Sequence, residues 1–274
     1  MLFIASIFLI PISTSAQEKE KQKYSLKNPK GNFYVFWGYN RSAYAKSTIH
    51  LKSDTYDFTL YDMPEKVTVN NYLNPAYITV PQFNARVGFY ITDKYVVSAG
   101  WDHTKYQTNE AVTTTISGTI DSSASEKYAG IYDNELITVY HDSLVKMEHS
   151  DGLNLIQFNF ERHDLLITNK NENLGLSTIL GAGLIFPMHW TNAKIFGIRN
   201  DDRPHFTGIG FSLFGGVKFF FFKRFFLQGL FQTGYLHMPG IVTTPKGGAE
   251  RASQNIKYIQ GMVVLGYSFR LFKF

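Results

Sequence analysis

The 274-residue chain contains no cysteine. Disulfide staples, thiolate metal sites and the lipid-modified cysteine of a lipoprotein are thereby excluded. Nor does it hold a run of about 20 apolar residues, the length that a helix needs to cross a bilayer. The string Phe219 to Phe222 is far too short and is cut off at once by Lys223 and Arg224. Long runs of one charge sign are missing as well. The densest, Glu18 to Lys30, mixes Lys with Glu and includes Pro29, so the net charge of +5 gathers on no recognisable nucleic-acid module. No nucleic-acid partner is expected.

Aromatics are abundant, with 24 Phe and 17 Tyr, as expected where rings coat a lipid-facing wall and its two interfacial girdles. Their spacing carries more than their number. From Phe206 to Leu236 the odd positions Ile209, Phe211, Leu213, Val217, Phe219, Phe225, Leu227 and Phe231 are apolar, while even positions include Ser212, Lys218, Gln228 and Gln232. This is the period of two of a strand with unlike faces. Two long halves meet at a short basic connection, which predicts a hairpin whose arms exceed the roughly 9–11 residues of a membrane-crossing strand.

The same parity recurs at Gln82 to Trp101, around a turn at Asp93-Lys94, and at Ile259 to Leu271. Trp37 and Tyr39 suit an interfacial belt. The expected fold is an all-β, closed antiparallel transmembrane β-barrel. Eleven strands are readable, and a single-chain barrel takes an even number. Twelve, with a hidden strand near Thr191 to Ile198, is the first choice; ten and eight are the alternatives. Residues 1–16, with the apolar run LFIASIFLI, read as a signal peptide, although no Lys or Arg precedes that run. A membrane anchor is the competing reading, for which the run is short. Residues 17–31 read as a periplasmic lead-in, and 32–274 as the outer-membrane barrel with extended external strands and loops. Asn70, Asn71, Asn74, Pro75 and Pro81 mark a loop, as does the Pro239 to Ser253 stretch.

The strings YDFTLYD (Tyr56 to Asp62), PQFNARVGFY (Pro81 to Tyr90), WDHTKY (Trp101 to Tyr106), EHSDGLN (Glu148 to Asn154) and GYLHMP (Gly234 to Pro239) resemble a group of uncharacterised outer-membrane β-barrel proteins of Bacteroidota. The similarity runs over most of the chain. It implies location and fold, and no catalytic assignment.

Parity places Arg86, Asp102, Gln157, Glu161, Lys218, Gln228, Gln232 and Arg270 on the lumen side. In a narrow lumen such groups satisfy one another, since isolated buried charges are expensive; in a wider one they line a water-filled passage. A third reading is enzymatic. On a strand, His141 and Ser143 share a face, and that spacing resembles lipid A deacylases of outer membranes. Their third catalytic carboxylate has no match, so Glu148 or Asp102 would have to serve, and His103, His149 and His163 are bases without assigned partners. His103 has outward parity beside Trp101. For a metal, His149 and Asp151 with His163 and Asp164 offer ligands, but nothing fixes a geometry, and neither metal nor cofactor is expected. The functional expectation is a structural, surface-interaction or small-solute passage role. The alternative is an outer-membrane lipid acyl hydrolase. Expected partners are outer-membrane lipids, lipopolysaccharide and other envelope proteins.

Overall fold

The computed structural model describes residues 24–65, 82–189, 191–201, 204–243 and 250–271. The expected signal peptide, the first part of the lead-in, the loop markers from Asn70 to Pro81 and the terminal Phe274 lie outside the described residues. In chain order the strands are β1 (Phe33–Tyr44), β2 (Ser47–Lys52), β3 (Tyr56–Met63), β4 (Phe83–Tyr90), β5 (Tyr95–Gln107), β6 (Val112–Ile120), β7 (Gly130–Val139), β8 (Val145–Thr168), β9 (Gly175–His189), β10 (Asn192–Ile195), β11 (Ile198–Asp201), β12 (His205–Phe206), β13 (Ile209–Phe221), β14 (Phe225–Val242) and β15 (Arg251–Phe269).

Eight strands pair in a ring, β1-β4-β5-β8-β9-β13-β14-β15, and β15 pairs back on β1 from Phe33 opposite Phe269 to Tyr44 opposite Tyr258. All these pairings are antiparallel. Beyond the ring, the first residues of β15 pair with β2, and the sheet continues through β3 and β6 to β7. The start of β8 pairs with β10, which pairs with β11, and β12 pairs with the end of β9.

The expected closed barrel of twelve strands, or of ten or eight, is therefore corrected: the fifteen strands do not close evenly into one ring, and a further sheet extends from the eight that do. Ser47 to Leu51 and Tyr56 to Tyr61, alternating segments counted among the barrel strands, form the sheet outside it together with Ala111 to Ile120, a Thr-rich stretch that belongs to the extended external strands. They have one apolar face, which packs on an apolar core, and a mainly polar outward face of Thr, Ser, Lys, Asp and His, with Tyr61. The hidden strand near Thr191 is the short β10–β11 hairpin, off the ring. The stretch read as a loop from Pro239 is instead strand as far as Val242, carried past a register shift between Met238 and Ile241.

Within the ring the faces invert the pattern of a soluble protein. Phe211, Leu213, Leu227, Phe231, Val263 and Leu265 are exposed outward, whereas Ser212, Lys218, Gln228, Gln232, Gln260 and Ser268 are buried inward. Continuing along the same strands, the outward residues turn from apolar to cationic or polar within two positions: Tyr39 to Arg41, Tyr235 to His237 and Ile259 to Lys257, the second of each pair exposed. Beyond that line the inner face becomes apolar. Ile49, Leu51, Leu60, Met63, Ile116, Leu144, Met147 and Ile256 meet in one buried cluster, each contributing about 1.5–3 kcal/mol of transfer free energy. One chain thus builds two interiors stacked along shared strands, a polar one in the ring and an apolar one above it.

Candidate functional site

The polar interior is built round Glu161 on β8, 1% exposed. Its carboxylate accepts from Tyr34 Oη at 2.8 and 2.9 Å, from Arg86 at 3.4 Å, from Ser98 Oγ, and pairs with His163 Nε2 at 2.7 Å. The other ring nitrogen of His163 lies 2.7 Å from Tyr90 Oη and 3.4 Å from Lys218 Nζ. Lys218 Nζ also sits over the rings of Tyr34 and Phe226 at 4.4 and 4.5 Å, and the Arg86 guanidinium over Phe214 at 4.8 Å. Asp102 accepts from Gln157 Nε2, and Gln232 donates to Tyr258 Oη at 2.7 Å. Arg86 and Lys218 are therefore matched in formal charge by Glu161 and Asp102, as burial demands.

Strand geometry explains why these side chains meet. Residues two apart on β8 point inward together, and the register sets Glu161 level with Val96 on β5 and Gly181 on β9. Room for large inner side chains comes from glycine on neighbouring strands. A Cβ added at Gly88 would lie 2.2 Å from the Tyr34 ring, and one at Gly266 2.1 Å from the Phe226 ring. Gln228 is buried on the same inner face.

Arg270 is placed differently from the other seven. It is half-buried at the rim, where Nε donates to Asn32 Oδ1 at 3.1 Å and a terminal nitrogen to the Lys30 carbonyl. There the lead-in folds across the end of the ring that carries the short connections. Tyr24 and Leu26 are buried in the ring's aromatic cluster with Phe220 and Phe226, and the Leu26 amide donates to Glu172 Oε2 at 2.5 Å. A cavity of about 20 Å³ remains between Tyr24, Tyr90, His163 and Phe220, which is room for about one water.

The catalytic candidates do not assemble. His141 and Ser143 lie in a turn between β7 and β8, closed by the Leu144 amide on the Tyr140 carbonyl at 2.9 Å, and share no strand face. His141 Nε2 lies 3.2 Å from the Asn109 carbonyl and 3.5 Å from Thr108 Oγ1. Ser143 Oγ pairs with Tyr128 Oη at 2.8 Å, and Glu148 with Lys146 at 2.7 Å. The three candidates thus have three separate sets of partners. The metal candidates separate too. His163 is inside the ring, while Asp164 pairs outside it with Arg162 at 2.7 Å. His149 lies beside Tyr106 with ring centroids 5.4 Å apart; burial first, then nearby His205, push its imidazole down to about 3. No group of three or more metal-ligating side chains occurs among the described residues. His103, given outward parity, is nevertheless buried, stacked on Phe83 and 2.9 Å from Asn154 Oδ1.

Sequence reasoning missed Tyr34, Tyr90 and Ser98 as partners of the buried carboxylate and left His163 unassigned. Their signal was parity: Tyr34 alternates with Phe33 and Val35, and Tyr90 with Phe89, on the face that carries Arg86.

No protein-family model and no curated protein matches the chain. Among solved structures it is similar to the outer membrane protein OprG from Pseudomonas aeruginosa, with TM-score 0.39, 9% identity and coverage of 88% of this chain and 97% of that one. It is also similar to the outer membrane protein AlkL, with TM-score 0.39, 8% identity and coverage of 88% and 92%. A third likeness is to Ail, the attachment invasion locus protein of Yersinia pestis, with TM-score 0.31, 14% identity and coverage of 88% and 99%. At these TM-scores the likenesses carry no argument, and the functional reading rests on the geometry above.

Proposed function

We propose that the chain is an integral outer-membrane protein whose eight-strand ring is a solid anchor and whose outer sheet is its interacting part, so that its role is surface interaction and not solute passage. The observation that carries this is the ring's interior. Arg86, Asp102, Gln157, Glu161, Lys218, Gln228 and Gln232 are each at most 4% exposed and lie among buried aromatic rings, with Tyr24 and Leu26 across one end. A passage needs water along its lining, whereas here Arg86 pairs with Glu161, Asp102 with Gln157, Lys218 with His163 and Gln232 with Tyr258. The outward face supports the location: an apolar band bounded by Trp37, Tyr39 and Trp101 fits a bilayer with interfacial aromatics.

Just beyond the band, exposed Arg41, Lys46 and Lys257 present cations at the level of lipid phosphates, which favours outer-membrane lipids and lipopolysaccharide as neighbours. The sheet built of β2, β3, β6 and β7 then stands outside, free to meet other envelope proteins. Reconstitution of the purified chain in planar bilayers tests the anchor reading. It predicts no discrete conductance steps; reproducible steps of constant size would overturn it.

A further inference from the structure

β7 is the last strand of the outer sheet: it pairs with β6 on one side and with no strand on the other among the described residues. Such an edge offers unpaired backbone groups to any strand that fits it. Two features single this one out. Ile131 and Leu136, opposite Thr119 and Thr115 on the outward face, are 83% and 78% exposed, two isolated apolar groups beside a row of hydroxyls. Asp133 and Glu135 between them form no ion pair among the described residues.

The edge is also shaped. A register shift opposite Ile116 to Gly118 leaves Asn134 with φ of 55°, its amide held by Ser117 Oγ at 3.0 Å. This bulge bends the strand and leaves Glu135 to Thr138 as a regular run beside it. A second copy laid antiparallel on β7 would bring four carboxylates, two from each chain, to the centre of the pairing, where like charges destabilise. An incoming strand with Lys or Arg at its centre and apolar residues on one face meets neither obstacle, and it covers Ile131 and Leu136.

We infer that β7 is an acceptor edge for an extended, basic strand of another protein, added in register to the outer sheet. The inference rests on the outer sheet being the interacting part of the molecule. The test uses the full chain in lipid nanodiscs and a short synthetic peptide alternating Lys with Val and Thr, against a twin with Glu in place of Lys. The basic peptide is expected to bind and to slow amide exchange across Glu135 to Thr138, the twin to do neither, and Leu136→Lys to weaken binding about tenfold, roughly 1.4 kcal/mol. Leu136 is solvent-exposed, so that variant keeps its fold. Equal binding of both peptides, no protection of β7, or protection without peptide that grows with protein concentration would overturn the assignment. Labelling of a Thr119→Cys variant on whole cells by an impermeant maleimide separates the two readings: labelled cells with an unprotected β7 sink only the edge assignment, and unlabelled cells sink the external placement itself.

Discussion

Glu161 shows what a charge inside the ring is for. It gathers hydrogen bonds from Tyr34, Ser98 and Arg86 and pairs with His163, tying β1, β4, β5 and β8 together across the interior. Burying a carboxylate is costly, and that cost is met only while its partners stay in place. Glu161→Ala leaves Arg86 and Lys218 facing each other's charge without it, and should destabilise the protein by about 3–5 kcal/mol. Urea unfolding of the folded, detergent-solubilised variant measures this; a change within about 0.5 kcal/mol would remove the network from the account of stability. A second residue-scale expectation concerns His149, whose imidazole burial holds at about 3 against an ordinary 6.5. The folded state binds fewer protons than the unfolded one below pH 6.5, so its contribution to stability is complete above that pH and falls as the pH drops toward 3. In His149→Gln this acid-dependent loss is expected to disappear, which parallel unfolding curves of the two proteins between pH 7 and pH 4 will show.

At the scale of elements, strand parity was legible and strand destination was not. The alternation from Ile209 to Leu236 became β13 and β14 with its faces as read, because a period of two has one structural meaning over so long a run. The outer strands β2 and β3 misled because they also alternate, whereas the Thr-rich β6 showed no apolar outward face. What separates them from ring strands is the chemistry of the outward face, Thr59 and Ser117 against Val263 and Phe231, and an isolated strand of six to nine residues shows too few outward positions to tell. The enzyme candidates failed for a related reason. The rule that residues two apart share a face holds on a strand, and His141 to Leu144 is a turn. Glu161 and His163 are also two apart, but on β8, and there the rule brings the side chains together.

The whole molecule is a division of labour along continuous strands. β8 starts in the apolar outer core at Val145 and Met147, passes through Gln157 and Glu161 in the polar ring, and ends at Thr168 by the covered mouth. β15 makes the same journey from Ala252 and Ile256 to Gln260 and Ser268. The proposed membrane placement accounts for both changes of face: lipid outside requires apolar residues outward and lets polar ones fill a narrow centre, whereas water outside requires the reverse. None of this was readable from the inner face alone, where Met262 and Val264 sit among the glutamines. The account stands on where the bilayer begins and ends. Nitroxides placed on Val217, Leu227 and Val263, and on Thr59, Ser117 and Lys257, in the chain reconstituted into bilayers report it directly through their collision rates with oxygen and with a water-soluble nickel chelate. The first three should favour oxygen and the last three the chelate; chelate preference at Val217, Leu227 and Val263 would contradict the membrane ring on which everything else is built.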